Sequence, residues 1–261
     1  MSPSTPTAPP ILALDRVSKS FGGLKAVADL TFGVQAGTIT SLIGGNGAGK
    51  TTAFNLITGN IPPDSGRILL DGQRIEGLPP YRVARAGIAR GFQELRLFNR
   101  LTSLDNVRVA LPEQAGETLV SALLGGRTLG EANRRSEQRG HELLDGLSLA
   151  SQEGALAERL SYGQQKLLAL GRLLATDGRL LLLDEPTSGL SPAMVDDFCA
   201  RMRALVDAGR TILLIEHNVE IVMRLSTWVI VMHEGTKIAE GPPEEVRRNV
   251  SVMHTYLGIT D

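Results

Sequence analysis

The chain has a single cysteine, Cys199, in 261 residues, so it cannot close an internal disulfide; this fits a reducing compartment and makes Cys199 a helix-packing residue. It also lacks an excess of either charge. With 27 basic against 28 acidic residues and no sustained basic stripe, it has no broad electrostatic grip for nucleic acid, which rests on clustered Lys and Arg releasing counterions. No apolar run approaches the roughly 18 residues of a membrane span. The longest, such as Leu180 to Leu183 and Ile212 to Ile215, are short, so the chain is not expected to cross a bilayer by itself. Met1 to Pro10 has neither a basic start nor an apolar centre, and is expected to be a disordered tail and not a signal peptide. The histidines at 141, 217, 233 and 254 have no zinc spacing. What is present, 42% hydrophobic and 21% charged residues, is the composition of a globular protein with one large or two modest domains.

Against that background one segment stands out. Gly44-Gly45-Asn46-Gly47-Ala48-Gly49-Lys50-Thr51 fits the pattern G-x-x-x-x-G-K-[ST] at every fixed position, between the strand-like run Ile39 to Ile43 and a helix-forming stretch. A phosphate chain is a dense cluster of negative charge. Binding it takes inward-turned backbone N–H groups, which glycines allow without Cβ clashes, plus a helix N-terminus; Gly44, Asn46, Gly47, Ala48, Gly49 and Thr52 are the expected contacts. Lys50 then reaches the β- and γ-phosphates of ATP, and the Thr51 hydroxyl faces Mg²⁺. The loop is not G-x-G-x-x-G, since Lys50 stands where the last glycine belongs, so a dinucleotide site has little support.

Strands are expected at Ile11–Val17, Ala26–Val34 and Thr38–Ile43, with Gly66–Leu70 turning at Asp71-Gly72, a strong hairpin signal. A helix near Tyr81–Ala86 precedes a strand Ile88–Gln93. From about 95 to 160 helical stretches replace strands (Ser103–Ala110, Glu131–Leu147), with Gly125-Gly126-Arg127 read as loop. Strands and helices then alternate: helix Gln164–Ala175, strand Leu180–Asp184, helix Pro192–Val206, strand Thr211–Glu216, helix Val219–Leu225, strands Trp228–Met232 and Lys237–Glu240. Such alternation implies right-handed crossovers, an α/β fold and a mainly parallel sheet with ligand at the strand C-termini.

Two further motifs complete a nucleotide site. Leu180–Leu183 is a buried strand ending in Asp184-Glu185-Pro186: Asp184 would hold Mg²⁺, directly or through water, beside Thr51, and Glu185 would polarise the attacking water. Leu160-Ser161-Tyr162-Gly163-Gln164-Gln165 offers a hydroxyl from Ser161 and an N–H from Gly163 at a helix start, a second anion site with Gln164 beside it.

In that order the motifs resemble those of the ATP-binding cassette (ABC) ATPases, whose signature is L-S-G-G-Q. The resemblance runs from about Ile11 to Gly258. It implies a P-loop NTPase domain over 11–258 with a RecA-like core, an N-terminal antiparallel β subdomain and an inserted helical subdomain (about 95–160 with the signature helix 161–175). It also implies that Phe21 stacks on adenine, that Gln93 contacts Mg²⁺ or its water and couples the site to the helical subdomain, and that His217 hydrogen-bonds the γ-phosphate. In that family the Ser161 motif closes over nucleotide held by a partner cassette, identical or a sister subunit. Two departures stand: Tyr162 replaces the first signature glycine, and Ser191, in Ser188-Gly189-Leu190-Ser191, replaces a common Asp.

Gly91-Phe92-Gln93-Glu94-Leu95-Arg96-Leu97-Phe98, the Leu160–Gln165 motif and Ile215-Glu216-His217-Asn218 are most similar to the LivG-type cassettes of branched-chain amino acid importers, and Thr255-Tyr256-Leu257-Gly258 is also similar to the end of that subfamily. This resemblance implies a cytoplasmic ATPase, peripheral on the inner face of the membrane, that docks on separate permease subunits. A periplasmic or extracellular solute-binding protein would act indirectly, and nucleic acid would not take part. Related cassettes serve urea, amide and lipopolysaccharide transport; a soluble cassette acting on ribosomes or DNA is the competing class.

Overall fold

The computed structural model describes residues 9–92, 94–112 and 126–249. Its strands are β1 (Leu12–Phe21), β2 (Leu24–Val34), β3 (Ile39–Gly44), β4 (Ser65–Leu70), β5 (Gln73–Arg74), β6 (Ile88–Phe92), β7 (Leu180–Asp184), β8 (Thr211–Ile215), β9 (Trp228–His233) and β10 (Thr236–Gly241). Its helices are α1 (Lys50–Ile57), α2 (Pro80–Arg85), α3 (Ser103–Arg108), α4 (Gly126–Gly146), α5 (Tyr162–Ala175), α6 (Pro192–Asp207), α7 (Val219–Leu225) and α8 (Pro243–Arg248). The chain divides into two compact units: one from the segments up to Arg90 and from Arg179 onward, the other Gly91–Gly178.

The first unit holds two sheets. An antiparallel sheet runs β2-β1-β4-β5, and a larger one runs β10-β9-β3-β8-β7-β6. Strands β7, β3 and β9 pair in parallel with their neighbours β8, β8 and β3, whereas β10 closes the edge antiparallel to β9. Every residue of β3, β7 and β8 is buried because both faces of a parallel sheet are covered; Leu180–Leu183 of β7 and Ile212–Ile215 of β8 therefore read as apolar runs, while β3 also buries Thr40 and Ser41. One apolar core joins Leu42, Leu182, Leu213 and Phe54 to Leu14, Leu30 and Ile68 of the antiparallel sheet. Truncating a side chain as deeply buried as Leu182 to Ala costs about 2–5 kcal/mol. The β4–β5 turn has Asp71 at φ 48° and Gly72 at φ 75°, the left-handed pair that a two-residue hairpin loop needs.

In the second unit the loop after β6 is pinned to α3 by Asn106, which is fully buried. Its Nδ2 donates to the carbonyls of Phe98 (3.0 Å), Leu101 (3.3 Å) and Thr102 (3.0 Å), and its Oδ1 accepts from Phe98 N–H at 2.9 Å. Four contacts from one amide fix the loop that follows position 93.

Two expectations need correcting. Strand β1 continues past Val17 to Phe21 despite its polar end, because it keeps pairing with β2 (Lys19 with Val27, Ser20 with Lys25, Phe21 with Leu24), and Ser20 N–H and Lys19 Nζ also donate to the Asp64 carboxylate at 2.7 Å. Helix α4 begins at Gly126, within the segment read as loop. A glycine costs a helix only about 1 kcal/mol, and 21 residues of cooperative propagation outweigh it.

Candidate functional site

The loop between β3 and α1 owes its shape to glycine. Gly44 (φ 155°), Gly47 (φ 76°) and Gly49 (φ 98°) are in conformations that side chains avoid, and a Cβ on Gly49 would meet the Ala26 carbonyl oxygen at 2.5 Å. Gly49 is also the N-cap of α1, without a side-chain cap, so the first-turn N–H groups stay open to an anion. Lys50 is buried, and its Nζ donates to the carbonyls of Gly44 and Gly45, both at 2.9 Å. Burial holds its ammonium below the ordinary lysine value, opposed by the nearby Glu185 and Asp184 carboxylates.

Strand β7 delivers Asp184 and Glu185 from adjacent positions. In a regular strand these would face opposite ways. The chain breaks the alternation at Glu185, whose φ is 50°, with its N–H held by the Ile215 carbonyl at 2.9 Å. A left-handed non-glycine residue costs on the order of 1 kcal/mol and clusters at functional sites. The turn brings Glu185 Oε1 to 2.9 Å from His217 Nε2. His217 is placed in turn by the end of β8 and by Asn218, whose side chain caps α7 by accepting from Glu220 and Ile221 N–H.

Asp184 faces inward, 2% exposed, with Arg90 Nη2 at 3.2 Å from its Oδ2. Arg90 Nη1 also donates to Asn55 Oδ1 of α1 at 2.5 Å, and its guanidinium is 5.6 Å from the Phe54 ring centre. Burial pushes the Asp184 carboxyl above the ordinary value, while Arg90 pulls it down.

These parts surround one cleft of about 690 Å³, lined by Leu24, Lys25, Ala26, the run from Asn46 to Thr52, Glu185, Ile215, His217 and Glu234. Asp184 is buried and is not among the residues lining it. Phe21 is exposed at the end of β1, with Lys19 Nζ 5.6 Å from its ring centre, and does not line the cleft either. Gln93 and the segment Thr255–Gly258 lie outside the described residues. Among the described residues no three His, Cys, Asp or Glu side chains gather to hold a metal. The hydroxyl of Thr51 and the carboxylate of Asp184 fit Mg²⁺, which takes one or two protein oxygens and fills its shell from phosphate and water.

In the second unit Ser161 caps α5 with a reciprocal box: its Oγ accepts from Gln164 N–H at 3.4 Å and its own N–H donates to Gln164 Oε1 at 2.9 Å. Tyr162 is simply the first helical residue and needs no positive φ, so the missing glycine carries no backbone penalty. Its ring is half exposed, with Lys166 Nζ 5.5 Å from the ring centre.

A P-loop at the end of a parallel strand, with an acidic pair at the end of a second and a histidine beyond a third, defines a nucleoside triphosphatase. The family model described as ABC transporter matches residues 27–188. The chain is 38% identical over 250 residues to BraF, the high-affinity branched-chain amino acid transport ATP-binding protein of Pseudomonas aeruginosa, covering 95% of this chain and 98% of that one. It is 39% identical over 252 residues to the Escherichia coli protein LivG of the same description, with the same coverage. Among solved structures, a nucleotide-free ATP-binding cassette superposes with a TM-score of 0.82 at 30% identity, covering 96% of this chain and 99% of that one. The ADP conformation of the cassette MJ1267 gives 0.82 at 31%, covering 95% and 99%. The chain belongs to the ABC transporter ATP-binding family, whose cassettes bind ATP and hydrolyse it to drive transport.

Proposed function

We propose that this protein is the ATP-hydrolysing subunit of an importer that takes up branched-chain amino acids through a separate permease. The observation that carries the solute assignment is identity of 38–39% across 95% of the chain to BraF and LivG, which bear that description. Among the described residues no helix is long and apolar enough to cross a membrane, so the translocation path belongs to a partner. The site works as a peripheral, cytoplasmic-face subunit. The helical subdomain, about residues 95–160 with the signature helix, couples it to the permease, and a solute-binding protein outside the membrane selects the cargo.

In this reading Phe21 stacks on adenine and Gly44, Asn46, Gly47, Ala48, Gly49 and Thr52 cradle the phosphates. Lys50 leaves the two glycine carbonyls for the β- and γ-phosphates. Thr51 and Asp184 would hold Mg²⁺, with Gln93 on it or its water, and the ion would supply positive charge against the phosphate oxygens. Glu185 accepts the proton of the attacking water, and His217 holds the carboxylate and then the γ-phosphate. Ser161, Gly163 and Gln164 close on nucleotide held by a second cassette, a copy or a sister subunit. Closure converts binding energy to motion because ATP favours the joined pair over the open one.

The test is reconstitution. The chain, its sister cassette and the permease purified together in vesicles should hydrolyse ATP faster when solute-loaded binding protein is added. Leucine, isoleucine or valine should stimulate and urea should not. Stimulation by urea or a short amide alone would reassign the cargo, and purification with ribosomes or DNA would move the protein to another class.

A further inference from the structure

Glu216 is a buried carboxylate, 3% exposed, that the proposed mechanism does not use. Its Oε1 accepts from Thr187 N–H at 3.1 Å and from Thr187 Oγ1–H at 2.5 Å, and its Oε2 faces His217 N–H at 3.3 Å. Thr187 is itself buried and lies two residues past Glu185. The segment 185–188 is therefore sewn to the end of β8 at three points: Glu185 N–H to the Ile215 carbonyl, Thr187 to Glu216, and the Glu185 carboxylate to His217.

We propose that Glu216 is a positioning residue for hydrolysis: its two oxygens fix Thr187 and the His217 backbone in one frame, and so set the separation of Glu185 from His217. The inference rests on the roles given above to Glu185 and His217. Registry between the two segments sets the geometry. Glu185 sits at a left-handed φ that relaxes unless the surroundings over-determine it, and His217 is exposed on a short connection between β8 and α7. A side chain with two acceptors and little room is suited to lock both segments, and misplacement by about 1 Å costs about 10²-fold in rate. Thr187 also begins the segment to Ser191, the N-cap of α6, with Leu190 N–H donating to the Thr187 carbonyl at 3.1 Å. Movement of that segment would reach His217 through Glu216.

Two near-isosteric variants each remove one arm. In Glu216→Gln the amide oxygen still accepts from Thr187, but the NH₂ group faces His217 N–H, donor against donor. Thr187→Val deletes the hydroxyl and keeps the shape. With the transporter assembled, each should lower kcat at least about tenfold while KM for ATP stays within about twofold, because the phosphate cradle is untouched. The double variant should be little worse than either single one, and Thr187→Ser should restore turnover. In the nucleotide-free protein, Glu216→Gln should move the His217 ring resonances, assigned with His217→Ala, and leave those of His141 in place. Turnover within twofold of the parent in both singles, equal losses in kcat and affinity, or unmoved His217 resonances would overturn the proposal. Glu185→Gln in the same assay separates the two readings: if it still turns over, the base assignment falls, whereas its inactivity beside a normal Glu216→Gln defeats only the positioning role.

Discussion

Arg90 reaches Asp184 at 3.2 Å and Asn55 of the P-loop helix at 2.5 Å, so one guanidinium ties the buried carboxylate of β7 to the element that follows the phosphate cradle. Because burial raises the Asp184 pKa and Arg90 opposes it, removing Arg90 raises that pKa further. The folded state then binds a proton that the unfolded chain has released. Stability therefore falls as pH rises above the ordinary carboxylate range near 4. Arg90→Ala should lower Tm by roughly 4–8 °C at pH 8, from about 2 kcal/mol for a lost charged hydrogen bond. The deficit should shrink toward pH 4, and Asp184→Asn in the same background should recover much of it. Melting curves across pH check this; a deficit independent of pH would assign Arg90 a packing role only.

Glu185→Gln keeps the shape of the side chain and removes its basicity. Hydrolysis should drop by about 10²-fold or more, the range attributed to a positioned general base, with ATP still bound. Phosphate release, and a fluorescent nucleotide titration beside it, read the two separately.

Two glycines of the same loop should behave differently. A Cβ at Gly49 meets backbone at 2.5 Å and needs φ 98°, so Gly49→Ala should destabilise the fold itself. At Gly45 the Cβ has nothing within 4 Å and no positive φ is required. Gly45→Ala should melt within about 1 °C of the parent, and any defect should show only in nucleotide titration.

Ser161→Ala removes a helix cap worth about 0.5–2 kcal/mol. If Ser161 also closes on a partner's nucleotide, the ATPase should fall far beyond what the stability loss explains, and Ser161→Thr should retain much of it. The parent's specific activity should rise with protein concentration as pairs form. Full activity in dilute, strictly monomeric protein would remove the two-cassette site.

The backbone of this molecule was legible because its periodic segments agree with their surroundings. Leu180–Leu183 and Ile212–Ile215 are apolar at every position because both sheet faces are covered, and the glycine loop between strand and helix has few other uses. Less legible were residues whose role exists only in three dimensions. Arg90 is an ordinary strand arginine until Asp184, 94 positions later, lies beside it. Glu216 reads as an acidic residue at a strand end, and only burial reveals it as an acceptor for Thr187. The adjacency of Asp184 and Glu185 marked the site, but the φ of 50° that turns Glu185 from its strand alternation has no sequence signal. The start of helix α4 is hidden in the sequence because Gly126 looks like part of a loop when local propensity is weighed without the 21-residue helix it begins.

The helical unit departs after Arg90 and rejoins at Arg179, whose N–H, with that of Leu180, donates to the Gly87 carbonyl at 2.8 and 3.0 Å. Exit and re-entry therefore lie on adjacent strands, about 5 Å apart. An excursion that leaves and returns on neighbouring strands can change in length without opening a gap in the sheet, so the glycine loop and the end of β7 keep their places whatever that unit becomes.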